Sequence, residues 1–317
     1  MGLSELWEGL GYPLLRLCLL ISVGVLVGNL IEALHWTRGV ARVASPLVRV
    51  GHLRDVSGAS FSMAFFSGVT ANTMLAEAYD SGRLTRRELV FSNLFNSLPT
   101  YFLHLPTTAF IVIPMIQQAA MPYLSLTIGS ALFRTLFILC VARMALPPRP
   151  DECVRCVLPE QAGKGWRGIV GKTWERFLQR IRKILLYTVP IYIAIYALNR
   201  AGFFSFLETA TSEHLTFLSW LPPEALGIMV LQIAAEFTAG LATAGALLDA
   251  GTLTVKEVVL ALILGNVLSS PMRAFRHQFP YYAGIFKPRL AMILIIFNQS
   301  LRVGSLVLLG FVYYVVA

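Results

Sequence analysis

The phrase Asp80-Ser81-Gly82-Arg83-Leu84-Thr85-Arg86-Arg87-Glu88 returns as Asp249-Ala250-Gly251-Thr252-Leu253-Thr254-Val255-Lys256-Glu257, and both copies lie between apolar tracts. In each copy the glycine can take the left-handed conformation that closes a helix. The Thr-x-x-Glu that follows is a capping box, which satisfies backbone donors at the start of the next helix. The phrase therefore predicts helix, tight turn and helix twice over, and an internal duplication of this kind indicates two half-bundles.

The composition indicates a membrane protein rather than a soluble one. Of the 317 residues, 56% are hydrophobic and 14% are charged, and the mean hydropathy is +0.67. Soluble domains carry nearer a quarter of charged residues, and several apolar runs approach the length that crosses a bilayer. The net charge of +9 does not indicate a nucleic-acid partner, because the bases lie in the segments that join apolar runs, where orientation signals belong.

We expect an all-α, polytopic helical membrane protein of about 8–10 membrane segments in two repeats. The first gate-like repeat is predicted at 1–146 and the second at 184–317. A basic linker, predicted at 147–183, joins them. Stretches 59–103 and 225–289 are either full spans or re-entrant hairpins. In the first, Arg83, Arg86 and Arg87 would lie outside if 59–79 crossed the membrane fully, against the positive-inside rule. In the second, the polar stretch 273–289 is either re-entrant or a loop rather than a span.

Charge bias predicts the orientation. The linker is rich in Lys and Arg, which the positive-inside rule assigns to the cytoplasm. The loop after the first helix is basic, whereas its counterpart at 201–224 contains glutamates but no Lys or Arg. The two repeats should therefore have inverted topologies. The protein is thus expected in a bacterial or archaeal cytoplasmic (inner) membrane, with its N-terminus outside. Residues 164–183 either lie on the anionic inner leaflet as an interfacial helix or only fix the topology.

Polar residues flank both copies of the phrase at membrane depth. Carboxamides donate and accept hydrogen bonds, which suits a neutral polar or zwitterionic solute, although bonds between helices would use the same groups. A carboxylate at this depth, Glu236, is a candidate for proton coupling. The predicted solute-binding residues are Asn72, Thr73, Asn93, Asn96, Gln232, Glu236, Thr238, Asn266, Ser269 and Ser270.

Two histidines, His104 and His277, precede prolines at matching places in the two halves. Each could be a proton relay, a gate residue, a metal ligand or a packing residue. The pair Cys153 and Cys156 offers two of the four ligands of a closed zinc site, so these four residues are weak metal candidates. Arg302, in an apolar helix, either snorkels to the interface or faces inward, where it would favour an anionic group on the solute.

The residues at 67–73, 80–88 and 93–99 with His104, and their second-half counterparts through His277 and Pro280, resemble the gate-domain family, also called the nucleoside-recognition domain family. That family includes the spore-maturation membrane proteins, and related domains occur in the membrane region of ferrous-iron transporters. The resemblance covers both halves outside 147–183. The name of the family implies a nucleoside-like solute, but the matching residues themselves identify no substrate. No nucleotide-binding G domain is found in the sequence, which argues against iron uptake of the ferrous-iron transporter type.

The leading hypothesis is a transporter or permease that moves a small polar solute, nucleoside-like or another metabolite, through a midplane site between the repeats, with proton coupling as an option. The alternatives are a divalent metal permease and a non-transport assembly or signalling protein of the spore-maturation type. No enzyme is expected, because the sequence has no nucleophile elbow, HExxH or P-loop. No cofactor and no nucleic acid are expected, whereas lipid contacts and a homo-oligomer are both compatible with the apolar helices.

Overall fold

The computed structural model of the chain describes residues 37–148, 221–234 and 237–317 continuously, together with parts of 3–26 and 171–209. Within these residues all regular structure is helical, which confirms the predicted all-α class for this part of the chain. The α-helices are Leu3–Leu6, Thr37–Val50, Asp55–Met63, Gly68–Asp80, Arg86–Phe95, Ser97–Ile116, Ala120–Ala145, Pro223–Ala234, Phe237–Asp249, Val255–Arg273, Phe279–Phe286 and Pro288–Val316, with π-helical turns at Trp7–Gly11 and Ala274–Gln278 and a 3₁₀ turn at Gln117–Ala119.

The chain divides into two compact units, and each unit draws on both halves of the sequence. Unit 1 consists of Met1–Leu103, Thr135–Ile193 and Phe279–Ile295. Unit 2 consists of His104–Arg134, Ala194–Gln278 and Ile296–Ala317. Each unit therefore contains one copy of the repeated phrase, together with segments from the other half of the chain.

The repeated phrase has the predicted conformation in both places. Gly82 has φ 73° and Gly251 has φ 67°, in the left-handed region that glycine adopts most readily. In both copies the threonine N–H donates to the glutamate Oε2 at 2.8 Å, and the glutamate N–H donates to the threonine Oγ1 at 3.3 Å. Both capping boxes and both glycine turns are thus confirmed.

A second pair of matching features follows further along each half. Gln117 and Lys287 are non-glycine residues with positive φ, 40° and 66°, and each comes just before a long helix. Their spacing along the chain matches that of the two glycines to within one residue. The following helices, Ala120–Ala145 and Pro288–Val316, have 26 and 29 residues. The local structure is therefore repeated well beyond the phrase itself.

In unit 1 a helix break precedes the first copy of the phrase. The Asp55–Met63 helix ends, and the Gly68–Asp80 helix begins after Ser67, whose Oγ accepts a hydrogen bond from the Thr70 N–H at 3.2 Å. A serine at this position satisfies one of the free donors of the new helix. The chain is therefore non-helical between Met63 and Gly68.

An ion pair and two aromatic rings hold the first hairpin against the preceding helix. Phe61 stacks on Phe95 with ring centroids 4.1 Å apart. The Arg54 Nε donates to the Glu88 Oε1 at 3.0 Å, and the Glu88 side chain is 4% exposed. Glu88 therefore serves both the capping box and a largely buried ion pair.

Unit 2 has a continuous apolar core around the Val255–Arg273 helix. Ile228, Met229, Leu241, Leu262 and Ile263 are almost fully buried in this cluster. The helix packs against Pro223–Ala234 and Phe237–Asp249. Close packing is possible because Gly245 lies against the Met115 carbonyl, a place with no room for a side chain.

Three continuous helical stretches among the described residues are long and apolar enough to cross a membrane: Arg86–Ala145, Val255–Phe286 and Pro288–Val316. The first has 60 residues, and its α-helical structure is interrupted at Asn96 and by the 3₁₀ turn at Gln117–Ala119. The polar stretch 273–289 is helical apart from Lys287, so it is not a loop. The number of spans and their orientation remain predictions.

Candidate functional site

Three of the predicted amides lie buried in unit 1. Asn72 is 5%, Asn93 is 2% and Asn96 is 3% exposed. The Asn93 Nδ2 donates to the Asn72 Oδ1 at 3.0 Å and makes a longer contact of 3.4 Å with the Tyr282 hydroxyl. Thr73 is also buried, but its hydroxyl donates to the Thr70 carbonyl of its own helix. The structure therefore brings two of the predicted residues, Asn72 and Asn93, into direct contact.

Serine hydroxyls extend this group of amides. The Asn96 Nδ2 donates to the Ser60 Oγ at 2.6 Å, and the Ser60 Oγ donates to the Ala71 carbonyl at 2.9 Å. Ser57 and Ser92 make a second buried pair at 2.6 Å. Sequence reasoning missed Ser57, Ser60 and Tyr282. The i, i+3 spacing of the two serines on one helix was the available signal, whereas Tyr282 is remote in sequence and gave none.

Two acceptor atoms of this group receive no hydrogen bond within the described residues. The Asn93 Oδ1 and the Asn96 Oδ1 are buried, and neither accepts a hydrogen bond from the described part of the protein. A buried polar atom without a partner costs about 1–3 kcal/mol, so proteins seldom retain one without a reason. We call Asn72, Asn93, Asn96 and Ser60 the unit 1 amide cluster.

In unit 2 the predicted Asn266 lies between two arginines. Its Oδ1 accepts from the Arg273 Nη2 at 2.9 Å and from the Arg302 Nη2 at 3.4 Å. Asn266 is 7% exposed, and both arginines are half-buried. Arg302 therefore faces inward onto the amide, one of the two alternatives that the sequence left open. The role of Arg273 was missed, because the sequence showed it only as one base in a polar stretch.

Gln232 occupies a slot made by two glycines. Its side chain lies against Gly240 and Gly265 so closely that a Cβ at either glycine would overlap it. Gln232 is 2% exposed, and neither its Oε1 nor its Nε2 has a partner within the described residues. Because Gly265 directly precedes Asn266, the unsatisfied amide of Gln232 lies beside the helix turn that carries Asn266.

Two serines complete the unit 2 group. Ser269 and Ser270 are each 2% exposed. The Ser270 Oγ donates to the Gln299 Oε1 at 2.8 Å, whereas the Ser269 Oγ makes no hydrogen bond with the described part of the chain. Thr238 is only half-buried. We call Gln232, Asn266, Ser269, Arg273 and Arg302 the unit 2 polar cluster.

The two histidines do not belong to either buried cluster. His104 and His277 are both exposed, on unit 2 segments. No group of three or more His, Cys, Asp or Glu side chains that could hold a metal occurs among the described residues. Glu236, Cys153 and Cys156 lie outside the described residues, so their predicted roles remain predictions.

Little of the 147–183 linker is described. Trp174 and Phe177 stack with ring centroids 5.2 Å apart, and Trp174 and Leu178 are each about half exposed. This exposed apolar surface is compatible with the predicted interfacial helix.

An open cavity of about 490 Å³ in unit 1 contains none of the predicted site residues. Its lining includes three cations, Arg86, Lys287 and Arg289, and one acid, Asp80. The lining also includes the apolar residues Ile285, Phe286, Leu290 and Ile293.

The sequence is similar over nearly its whole length to uncharacterized proteins of the archaeon Methanocaldococcus jannaschii. One is 25% identical over 294 residues, which cover 92% of this chain and 90% of the relative. A second is 21% identical over 93% of this chain and 96% of the relative, and a third is 24% identical over 86% and 84%. No protein family description matches the sequence. No solved structure matches it either.

Proposed function

We propose that this protein is an integral membrane transporter or permease that moves a small polar solute. The observation that carries the proposal is a set of buried hydrogen-bonding atoms in the apolar helices that have no partner among the described residues: Asn93 Oδ1 and Asn96 Oδ1 in Arg86–Ala145, and Ser269 Oγ in Val255–Phe286. Water is scarce at membrane depth, so such groups are costly and mark solute pathways. A passing solute would satisfy them.

The helix breaks support the same proposal. The Met63–Gly68 break and the interruption at Asn96 both lie beside the unit 1 amide cluster. In transporters, discontinuous helices free backbone groups where a solute binds. We propose further that residues 1–146 and 184–317 are inverted repeats of a multi-pass protein in the cytoplasmic membrane, with the basic linker at 147–183 on the cytoplasmic side.

Uptake into proteoliposomes tests the proposal. Purified protein would be reconstituted with or without an imposed pH gradient, and the entry of radiolabelled nucleosides, amino acids and organic acids measured against empty liposomes. We expect entry of at least one solute class. Asn93→Ala should reduce that entry by about 10-fold or more, because it removes a buried amide worth 1–3 kcal/mol.

The control is Ser300→Ala, which removes a hydrogen-bonding group at an exposed position of the Pro288–Val316 helix. It should leave the rate of entry unchanged. If no solute from any class enters, or if Asn93→Ala transports as fast as the parent protein, the amide cluster is not a solute pathway.

A further inference from the structure

We infer that the open cavity of unit 1 binds the phosphate group of an anionic phospholipid through Arg86, Lys287 and Arg289. The chemistry that the cavity recognises is thus a phosphate ester beside an apolar chain. The inference rests on the membrane location in the proposed function, but not on transport. It also concerns a different place, because no residue of the unit 1 amide cluster or the unit 2 polar cluster is among the described residues that line the cavity.

Three cations meet at this cavity from two distant segments of the chain. Arg86 begins the helix after the first repeated turn, whereas Lys287 and Arg289 lie on either side of Pro288, the first residue of the last helix. All three residues are exposed, and their side chains make no hydrogen bond or ion pair within the described part of the chain. Asp80 is the one acid among the described lining residues. The cavity therefore has an excess of positive charge and N–H donors that are available to a ligand.

Phosphate is the anion that this set of donors suits. A guanidinium group matches two phosphate oxygens with a planar pair of N–H donors, and an ammonium group binds phosphate as a compact charge. The cavity of about 490 Å³ between these groups has room for a lipid headgroup. Basic pockets of this kind at a membrane surface bind anionic headgroups.

The apolar part of the lining favours a lipid over a soluble phosphate. Lys287 and Arg289 lie at the start of Pro288–Val316, a helix long and apolar enough to cross a membrane. Long cationic side chains at such a helix end reach the depth of the headgroups. Leu290 and Ile293 are half-buried and line the same cavity, and Ile293 lies about 7 Å further along the helix axis than Pro288. The first part of an acyl chain would lie against these two side chains.

Unit 2 supplies an internal comparison, because the same turn and capping box form there without these charges. When the two copies of the phrase are aligned, and Gln117 with Lys287, the three matching positions are uncharged: Val255, Gln117 and Ala119. The Gln117 Nε2 donates to the Asp249 Oδ1 at 3.2 Å, so these positions form a contact within the protein. The local fold therefore does not require three cations at this place, which favours a role for them in binding.

Native mass spectrometry of the purified full-length chain in detergent micelles tests the inference. Dioleoyl phosphatidylglycerol, dioleoyl phosphatidylcholine or soluble glycerol 3-phosphate would be added, and the dissociation constant of the first bound molecule measured. We expect phosphatidylglycerol to bind at least about 10-fold more tightly than phosphatidylcholine, whose choline group cancels the charge of its phosphate. Glycerol 3-phosphate should bind more weakly than phosphatidylglycerol, because it has no acyl chain to bury.

The second half of the experiment removes the cations. The triple variant Arg86→Val, Lys287→Gln and Arg289→Ala takes its residues from the matching positions of unit 2, so we expect it to fold. It should bind phosphatidylglycerol about 100-fold more weakly than the parent, or about 5-fold for each cation, and phosphatidylcholine equally well. Thermal unfolding would check its fold. If the triple variant does not fold, Arg289→Gln at an exposed position replaces it, with an expected loss of about 5-fold.

Arg87→Gln is the matched control. It removes the same charge from an exposed position next to Arg86, and Arg87 is not among the described residues that line the cavity. This variant should bind phosphatidylglycerol like the parent. A loss as large as that of Arg289→Gln would mean that only the general surface charge attracts the lipid, and it would overturn the inference.

The remaining outcomes separate this inference from the proposed function. Equal affinities for the two lipids, or equal binding of phosphatidylglycerol by the parent and the folded cavity variant, overturn the lipid site. Glycerol 3-phosphate that binds as tightly as phosphatidylglycerol would overturn the assignment to a lipid. If solute enters liposomes but the lipid site fails these tests, the transport proposal stands alone. If the lipid site passes them and liposomes take up nothing, the site stands and the transport proposal is wrong.

Discussion

The Asn93 Nδ2 lies 3.0 Å from the Asn72 Oδ1, and this hydrogen bond joins the two helices on either side of the first repeated turn. The turn alone would leave the hairpin free to open from its far end. Because both residues are buried, the bond has little competition from water and favours one alignment of the two helices. The same amides thus have a structural role in addition to the proposed contact with solute.

Asn93→Ala should destabilise the protein by about 1–3 kcal/mol, because it leaves the buried Asn72 Oδ1 without its donor. Tyr282→Phe removes only the longer 3.4 Å contact and should cost less than about 1 kcal/mol. The free energy of unfolding in mixed detergent micelles would measure both. A larger loss from Tyr282→Phe than from Asn93→Ala would contradict this assignment.

The two capping boxes offer a matched comparison. Glu257→Ala removes a cap on an exposed turn and should cost about 1 kcal/mol. Glu88→Ala removes the same cap but also leaves Arg54 without its carboxylate partner, so we expect a loss of about 2–4 kcal/mol. Unfolding measurements on the two variants side by side would show the difference. Equal losses would mean that the Arg54–Glu88 pair contributes nothing.

The left-handed glycines should not tolerate a side chain. Gly82→Ala and Gly251→Ala should each cost about 1–2 kcal/mol, because their φ values of 73° and 67° are unfavourable for alanine. Gly68→Ala is the control, since it starts a helix with open space around it and should be neutral or slightly stabilising. Thermal unfolding of the three variants would test this order, and a harmless Gly82→Ala would refute it.

The slot around Gln232 predicts a compensating pair of substitutions. Gly265→Ala should destabilise the protein by about 1–3 kcal/mol, because its Cβ would overlap the Gln232 side chain. Adding Gln232→Ala removes that overlap, so the double variant should be more stable than the sum of the two single changes predicts. Gly304→Ala, with no atoms nearby, controls for glycine replacement within a helix. Additive losses in the double variant would exclude this contact.

The local structure was predictable because its causes are local. A glycine that ends a helix and a Thr-x-x-Glu that starts one act within a few residues, and both turns formed as expected. The burial of Asn72, Asn93, Asn96, Gln232 and Asn266 followed from polar residues placed in apolar surroundings. These positions could be recognised without knowing any tertiary contact.

The partners of those residues were not predictable in the same way. Tyr282 reaches Asn93 across 189 positions of sequence, and no local pattern connects them. In the sequence Arg273 was one base among several in a polar stretch. The helix places it two turns from Asn266 on the same face, where the two side chains form a hydrogen bond. The left-handed conformations of Gln117 and Lys287 also gave no signal, because neither residue type favours positive φ.

The composition of the two units has a consequence for biosynthesis. Unit 1 includes Phe279–Ile295, which leaves the ribosome long after the first hairpin, and unit 2 includes His104–Arg134, which is made long before the segments that cover it. Neither unit can complete its packing while only the first half of the polypeptide exists. Synthesis of the first half and completion of the packing are therefore separate in time, and a chain arrested midway would leave each unit's apolar core incomplete.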